Sequence, residues 1–320
     1  MAENTETIKG TSLWKDAWKR LLKNKLAVFG LIVMIIMIIA VTIGPAIIRW
    51  TTGFTADFIP PEGDLIKSFP PSLQHPMGTD EAGRDLLARV LQGGRISLMV
   101  GVISTIVSLL VGVSYGAIAG YMGGKIDNFM MRVVDIIYAI PYILIVIVLL
   151  SVFGGPNTPS WITWLAERFG GAGNQGLSQI FLLFFALGLV SWLTMARVVR
   201  GQILSLKNQE FVMAARATGV STLGIIFRHL VPNALGPVIV YATLTVPSVM
   251  LTEAFLSFLG IGVQAPFASW GSLASDGIKN IAIYPWQLIF PGVTMALTLF
   301  SLNFLGDGLR DALDPQTRKF

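Results

Sequence analysis

Residues 26–48 read LAVFGLIVMIIMIIAVTIGPAII, without one charged side chain. A helix rises about 1.5 Å per residue, so a run of this length reaches across the roughly 30 Å hydrocarbon core of a bilayer. Further apolar stretches lie at 96–120, 133–153, 178–196, 234–258 and 286–306. The composition agrees: 53% of residues are hydrophobic, 13% are charged and the mean hydropathy is +0.69, outside the range of water-soluble domains. Together these predict an all-α polytopic membrane protein with six transmembrane helices. Gly44-Pro45-Ala46 closes a run too long for the apolar core of a signal peptide, so 26–48 reads as a retained first span.

The connections set the orientation, because short cytoplasmic loops are enriched in Lys and Arg. With the N-terminus inside, 1–25, 121–132, 197–233 and 307–320 hold 16 basic residues, whereas 49–95, 154–177 and 259–285 hold 7. Acidic residues divide 8 and 8, leaving Asp135 and Glu253 inside spans. The net charge of +5 is therefore mainly a topology signal, and its dispersal beside the spans argues against a nucleic-acid surface. The expected organisation is a cytoplasmic tail with an interfacial helix (1–25), the first span (26–48), an extracytoplasmic loop with an amphipathic helix (49–95), a core of five spans (96–306) and a cytoplasmic C-terminal tail (307–320).

Several chemistries are excluded. The chain has no cysteine, which removes disulfides, thiolate metal sites and cysteine nucleophiles. Its two histidines, His75 and His229, fall on opposite sides of the predicted membrane, so no metal site is expected. Gly112-Val113-Ser114-Tyr115-Gly116 matches the nucleophile-elbow string of serine hydrolases. An elbow needs a strand–turn–helix context and a histidine base, and a membrane helix offers neither, so no catalytic residue is assigned. There is no GxxxxGKS or GxxxxGKT string to cradle nucleotide phosphates.

Ahead of the first span, apolar residues at 14, 18, 21 and 22 with cations between them predict a helix lying in the headgroup layer. In the long outer loop, Pro60-Pro61 and Pro70-Pro71 exclude helix and central strand. Beyond them Thr79 or Asp80 is placed to cap a helix whose Leu86, Leu87, Val90 and Leu91 share a face, with Asp85 and Arg89 spaced to pair. In the second span Ser104, Ser108, Gly112, Gly116 and Gly120 recur at every fourth position, a stripe that lets a neighbouring helix approach closely.

Tyr138, Pro141 and Tyr142 in the third span, and Pro237 and Pro247 in the fifth, mark bends that either line a pathway or are ordinary packing. Asp135 sits one turn from Arg132, which suggests a local ion pair. Glu253 lies well inside the fifth span, where a carboxylate is expensive. It either meets substrate in a wet cavity or is neutralised or paired within the bundle. Glu253, Tyr138 and Tyr142 are the candidate pathway residues.

Residues 208–232 read NQEFVMAARATGVSTLGIIFRHLVP, a short polar helix, a glycine stop and a second helix between two apolar runs. Asn208 is placed to cap, Glu210 sits at the positive helix start, Gly219 supplies a left-handed stop and Ser221 caps the second helix, expected to end near Pro232. Ala214 and Ala215 are small where a bulky side chain would hold a partner surface away. Such an element is either a docking lever for a soluble partner or a plain connecting hairpin.

Ala214-Ala215, then Gly219, then His229-Leu230-Val231-Pro232, at these spacings, resemble the EAA loop of ABC-importer permeases. Residues 14–30, 75–85 (HPMGTDEAGRD) and Gly94-Arg95-Ile96-Ser97-Leu98 are similar to the C-type permease subunit of dipeptide and oligopeptide importers. Met213 stands at the motif's usual glutamate position, with Glu210 and Arg216 near enough to replace its ion pair. The resemblance implies the type I ABC-importer permease fold and a coupling loop, 197–233, in which Glu210, Met213, Ala214, Ala215, Arg216, Gly219 and Pro232 matter.

It also implies a pore shared with a homologous second permease, and two cytoplasmic ATP-binding subunits that hold ATP and Mg2+. An extracytoplasmic peptide-binding protein completes the set, in a bacterial inner membrane with both termini cytoplasmic. This chain itself is then expected to bind no cofactor and to be a transporter subunit rather than an enzyme. Its expected task is ATP-driven import of di- or oligopeptides. The alternatives are another small solute such as a nickel chelate, or ion-coupled secondary transport.

Overall fold

A computed structural model describes residues 13–59, 68–154, 157–170 and 175–313. Its helices are α1 (Leu13–Leu21), α2 (Lys25–Thr52), α3 (Leu86–Met122), α4 (Gly124–Tyr138), α5 (Tyr142–Phe153), α6 (Ser160–Gly170), α7 (Gln175–Leu206), α8 (Glu210–Ala217), α9 (Thr222–Gly224), α10 (Val231–Phe258), α11 (Trp270–Lys279) and α12 (Trp286–Leu313), with a π-helix at Ile225–Leu230 joining α9 to α10. α2, α3, most of α7, the continuous run Thr222–Phe258 and α12 are long and apolar enough to cross a membrane, and α4 and α5 meet the same criteria only when taken together, as one bent pair. The expectations for Pro60-Pro61, and for 1–12 and 314–320 in the two tails, fall outside the described residues.

The predicted bend of the third span is a break. α4 and α5 meet at 83°. Pro141 has no N–H to give and its ring excludes the carbonyl four residues back, while Ile140 is pushed out of helical conformation by the proline after it. Ala139 still donates to Asp135 O at 3.0 Å; α4 stops there, and α5 restarts behind Pro141. Tyr138 and Tyr142 flank the break.

The helix expected near 81–91 is not a separate element. It is the opening of α3, whose 37 residues run unbroken for about 55 Å. Asp85 caps it rather than Thr79 or Asp80, accepting from Ala88 N at 2.7 Å. Asp80 is occupied elsewhere: it accepts from the N–H groups of Ala82 and Arg84, each at 2.9 Å, and from the guanidinium groups of Arg84 and Arg89. The predicted Asp85–Arg89 pair is therefore not made, and the second oxygen of Asp85 meets His75 Nδ1 at 2.8 Å. Trp286 Nε1 and Gln287 Nε2 donate to Thr79 O at 3.3 and 3.0 Å, fastening this loop to the start of α12.

α3 and α7 form the most extensive helix pair, and the small-residue stripe lies in it. Ser104 Oγ donates to Phe184 O at 2.8 Å. A Cβ on Gly112 would stand 2.6 Å from Met195 Cβ, one on Gly116 would strike the Ala196 carbonyl, and one on Gly120 would meet Arg200 O at 3.0 Å. From the other side, Gly188 of α7 makes room for Val107. Close backbone approach of this kind is what holds helices together where lipid tails are as apolar as the side chains.

Polar ties add to the packing. Arg200 of α7 holds Asp127 of α4 through two bonds of 2.6 and 2.7 Å. Asp135 does not pair with Arg132 on its own helix; it faces α7 and accepts from Arg197 at 2.7 Å. α1 docks on the last turns of α12 through Ala17 and Leu21, clustered with Ala27 and Ala312. Trp18 and Leu22, expected on the same face as Leu21, point outward. α8, α1 and the end of α12 thus share one end of the bundle, and residues 68–85 with α11 occupy the other.

Candidate functional site: a mounted helix and a hydroxyl-lined wall

α8 is short and stands at the ends of α3, α7 and α10. Gln209 occupies its N-cap without a side-chain bond, where Asn208 was expected, and Glu210 opens the first turn. Gly219 has φ +79°, the left-handed conformation that the sequence requires of it. Val220 N then returns to Ala215 O at 3.1 Å, and Ser221 Oγ accepts from Gly224 N at 3.2 Å to start the next helix. That helix does not end at Pro232. The π-helix bonds Val231 N to Ile226 O, and Asn233 Nδ2 donates to His229 O at 2.6 Å, so the chain passes Pro232 into α10.

The faces of α8 divide cleanly. Val212 and Ala215 are buried against Ile225, Ile226 and Leu230, so the small size of Ala215 serves the inner packing. Ala214, Met213, Glu210 and Phe211 face out, with Leu223 and Phe227 exposed beside them. Arg216 is not placed to stand in for the motif's missing ion pair: its Nε donates to Tyr121 OH of α3 at 3.2 Å, and its guanidinium lies 5.2 Å from that ring. Lys207 Nζ donates to Gly120 O at 3.0 Å. Both ties reach α3, one from α8 and one from the connection before it, while Val212 and Ala215 seat the helix on the π-helix that leads into α10.

The second feature is a wall between α4–α5, α7 and α10. A cavity of about 410 Å³ is lined by Tyr138, Pro141 and Tyr142 with Ser191 and Thr194. A smaller one of about 230 Å³ is lined by Ser191 and Thr194 with Tyr241, Thr245, Ser248 and Thr252. Sequence reading reached Tyr138 and Tyr142 but missed the hydroxyls, although 241, 245, 248 and 252 follow the spacing of one helical face.

Glu253 lies apart from this wall. It is 1% exposed, and its Oε1 accepts from Ser257 at 2.6 Å and Ser269 at 2.7 Å. Ser269 also caps α11 by accepting from Ser272 N at 3.0 Å, so the carboxylate closes the α10–α11 connection. Of the two expectations, pairing within the bundle is the geometry found. Glu253→Ala strands two buried hydroxyls and is expected to cost about 1–3 kcal/mol, read as a lower melting temperature of the purified complex. Glu253→Gln, which keeps a carbonyl acceptor, should lose less; equal melting of wild type and Glu253→Ala would refute the structural role.

Over residues 112–319 the chain matches the family described as binding-protein-dependent transport system inner membrane component. Over residues 12–61 it matches the N-terminal TM domain of oligopeptide transport permease C. It is 46% identical over 314 residues to the oligopeptide transport system permease protein OppC of Haemophilus influenzae, covering 97% of this chain and 91% of that one. OppC of Bacillus subtilis is 43% identical (97% and 92% covered), and the dipeptide transport system permease protein DppC of the same species is 43% identical (96% and 87% covered). A solved chain of the MetNI methionine ABC transporter, from inward-facing conformations, aligns with a TM-score of 0.49 at 18% identity over 72% of this chain and 96% of that chain. Matches that run nearly end to end leave one assignment: the chain belongs to the binding-protein-dependent transport system inner membrane components, as a permease subunit of the C type.

Proposed function

We propose that this chain forms half of the translocation pathway of an ATP-driven importer of di- or oligopeptides, and that α8 is where the ATP-binding subunits push. The observation that carries this reading is the outward face of α8. Phe211 and Met213 are exposed on a helix that Val212 and Ala215 lock to the bundle, and Leu223 of α9 and Phe227 of the π-helix are exposed as well. An apolar patch on a water-facing loop needs a partner to cover it. ATP and Mg2+ belong to those partners. A second, homologous permease completes the pore, and an extracytoplasmic receptor delivers the cargo. Relatives named for oligopeptide and dipeptide transport support a peptide as that cargo.

The mechanism follows from the mounting. Closure of the ATP-binding subunits displaces α8, and the displacement passes to α3 through Arg216–Tyr121 and Lys207–Gly120, and to α10 through the π-helix. α3 and α7 move together because their backbones are in contact, so the motion is that of a rigid unit and alternates the access of the wall. The excess of basic residues supports an orientation with the α8 end and both termini on the cytoplasmic side of a bacterial inner membrane.

Met213→Cys gives a topology test in a chain without other cysteines. A membrane-impermeant maleimide is expected to label it in everted vesicles and not in intact cells, with protection when the ATP-binding subunits are present. Labelling from outside intact cells would reverse the orientation.

A further inference from the structure

Two ion pairs join α4 to α7, from neighbouring turns of α7 to aspartates about two turns apart on α4, and they are built differently. Arg200 grips Asp127 with two bonds, and the Asp127 side chain is only 8% exposed. Arg197 makes one bond to Asp135, and these side chains are 43% and 59% exposed. Separating the Arg200–Asp127 pair leaves the nearly buried Asp127 carboxylate without its partner, whereas an exposed pair contributes little. α4 is therefore fixed at its start and loosely held at its end, beside the 139–141 break.

The loose end stands where the two cavities meet. Arg197 lies 4.1 Å over the Tyr138 ring, and the Tyr138 hydroxyl bonds Thr194, which lines both cavities. The wall beyond is uncharged. Ser191 donates to Leu187 O, Thr245 to Tyr241 O and Thr252 to Ser248 O, each at 2.9 Å, which leaves hydroxyl lone pairs for incoming N–H groups. Amide groups of a peptide suit such a surface, but its charged ends do not. The Arg197–Asp135 pair sets one charge of each sign at the edge of the wall.

We infer that Arg197 and Asp135 are a recognition subsite for the charged ends of a peptide, and that their pairing is a latch. This rests on the translocation reading above. An incoming carboxylate competes with Asp135 for Arg197, and an incoming ammonium competes with Arg197 for Asp135. Either exchange breaks the pair, frees Tyr138 from its place beneath the guanidinium, and lets the end of α4, beside the break, move away from α7 so that the cavities join.

The test uses the complete complex in proteoliposomes, with receptor presaturated with either trialanine or its N-acetyl, C-amide form. Wild type is expected to take up the free peptide about tenfold faster, equivalent to about 1.4 kcal/mol. The Arg197→Ala, Asp135→Ala double variant is expected to bring the ratio near one while ATP-driven uptake persists. No preference in wild type, or an unchanged ratio in the variant, overturns the inference and leaves the importer reading intact. Absence of ATP-driven uptake of either peptide by wild type would instead remove that reading. To separate charge from folding, Asp135→Cys with Arg197→Cys is joined by a short reducible bifunctional linker. Uptake should stop on cross-linking and return on reduction; undiminished uptake by the cross-linked complex overturns the latch.

Discussion

Gly116→Leu is expected to destabilise the assembled permease strongly. The added Cβ would meet the Ala196 carbonyl and the Ala196 Cα, which is backbone and cannot rotate away. α3 and α7 must then separate, which also undoes the seating of Gly112 on Met195 and lengthens the Ser104–Phe184 bond. Overpacking typically costs about 1–3 kcal/mol when side chains can adjust, and here they cannot, so about 3 kcal/mol or more is expected. Against a typical stability of about 5–15 kcal/mol, that loss should appear as low yield and a melting temperature lowered by several degrees. Gly201→Ala on α7, with no heavy atom within 4 Å of its added Cβ, is the matched control and should melt like wild type. Equal melting of Gly116→Leu and wild type would show that this contact does not hold the fold.

Gly219→Val is expected to leave the chain in the membrane and to lower peptide uptake by about tenfold or more. The left-handed backbone at φ +79° costs an L-residue about 1–2 kcal/mol, most for a β-branched one. No heavy atom lies within 4 Å of the added Cβ, so the effect is conformational rather than steric crowding. Relieving that strain turns the outward face of α8 away from its partner and loosens the Val220–Ala215 return. A loss of 1.4 kcal/mol in coupling corresponds to about tenfold in rate or affinity. Receptor-stimulated ATPase activity should fall with uptake, whereas Gly219→Asn, which enters the left-handed region more readily, should retain most of both. Undiminished uptake by Gly219→Val would mean that α8 is not the lever.

Six spans were legible in the chain because a bilayer imposes length and apolarity on every crossing. The stripe from Ser104 to Gly120 was legible for the same reason, as a period-four pattern on a helix. What escaped were choices made between distant groups. Asp80 reads as a cap and Asp85 as the i, i+4 partner of Arg89, but the folded loop exchanges the roles: Asp85 caps and meets His75, and Arg89 reaches Asp80. Asp135 has Arg132 nearby in sequence, yet Arg197 of another helix reaches it.

Pro232 reads as a stop, but Val231 N bonds Ile226 O just before it and Asn233 Nδ2 bonds His229 O just after it, so the helix continues into α10. Ala214 and Ala215 read alike, but only packing tells that the second faces inward. The hydroxyls on α10 follow one face in the sequence; which face meets a cavity became visible only with α7 beside it.

The most direct measurement reconstitutes the two permeases in liposomes, presents loaded receptor on one side, and follows peptide uptake with and without the ATP-binding subunits. Uptake is expected only when those subunits are seated on α8 and ATP is present on their side. Uptake by the permease pair alone, or undiminished uptake without ATP, would contradict a pathway driven through residues 208–232.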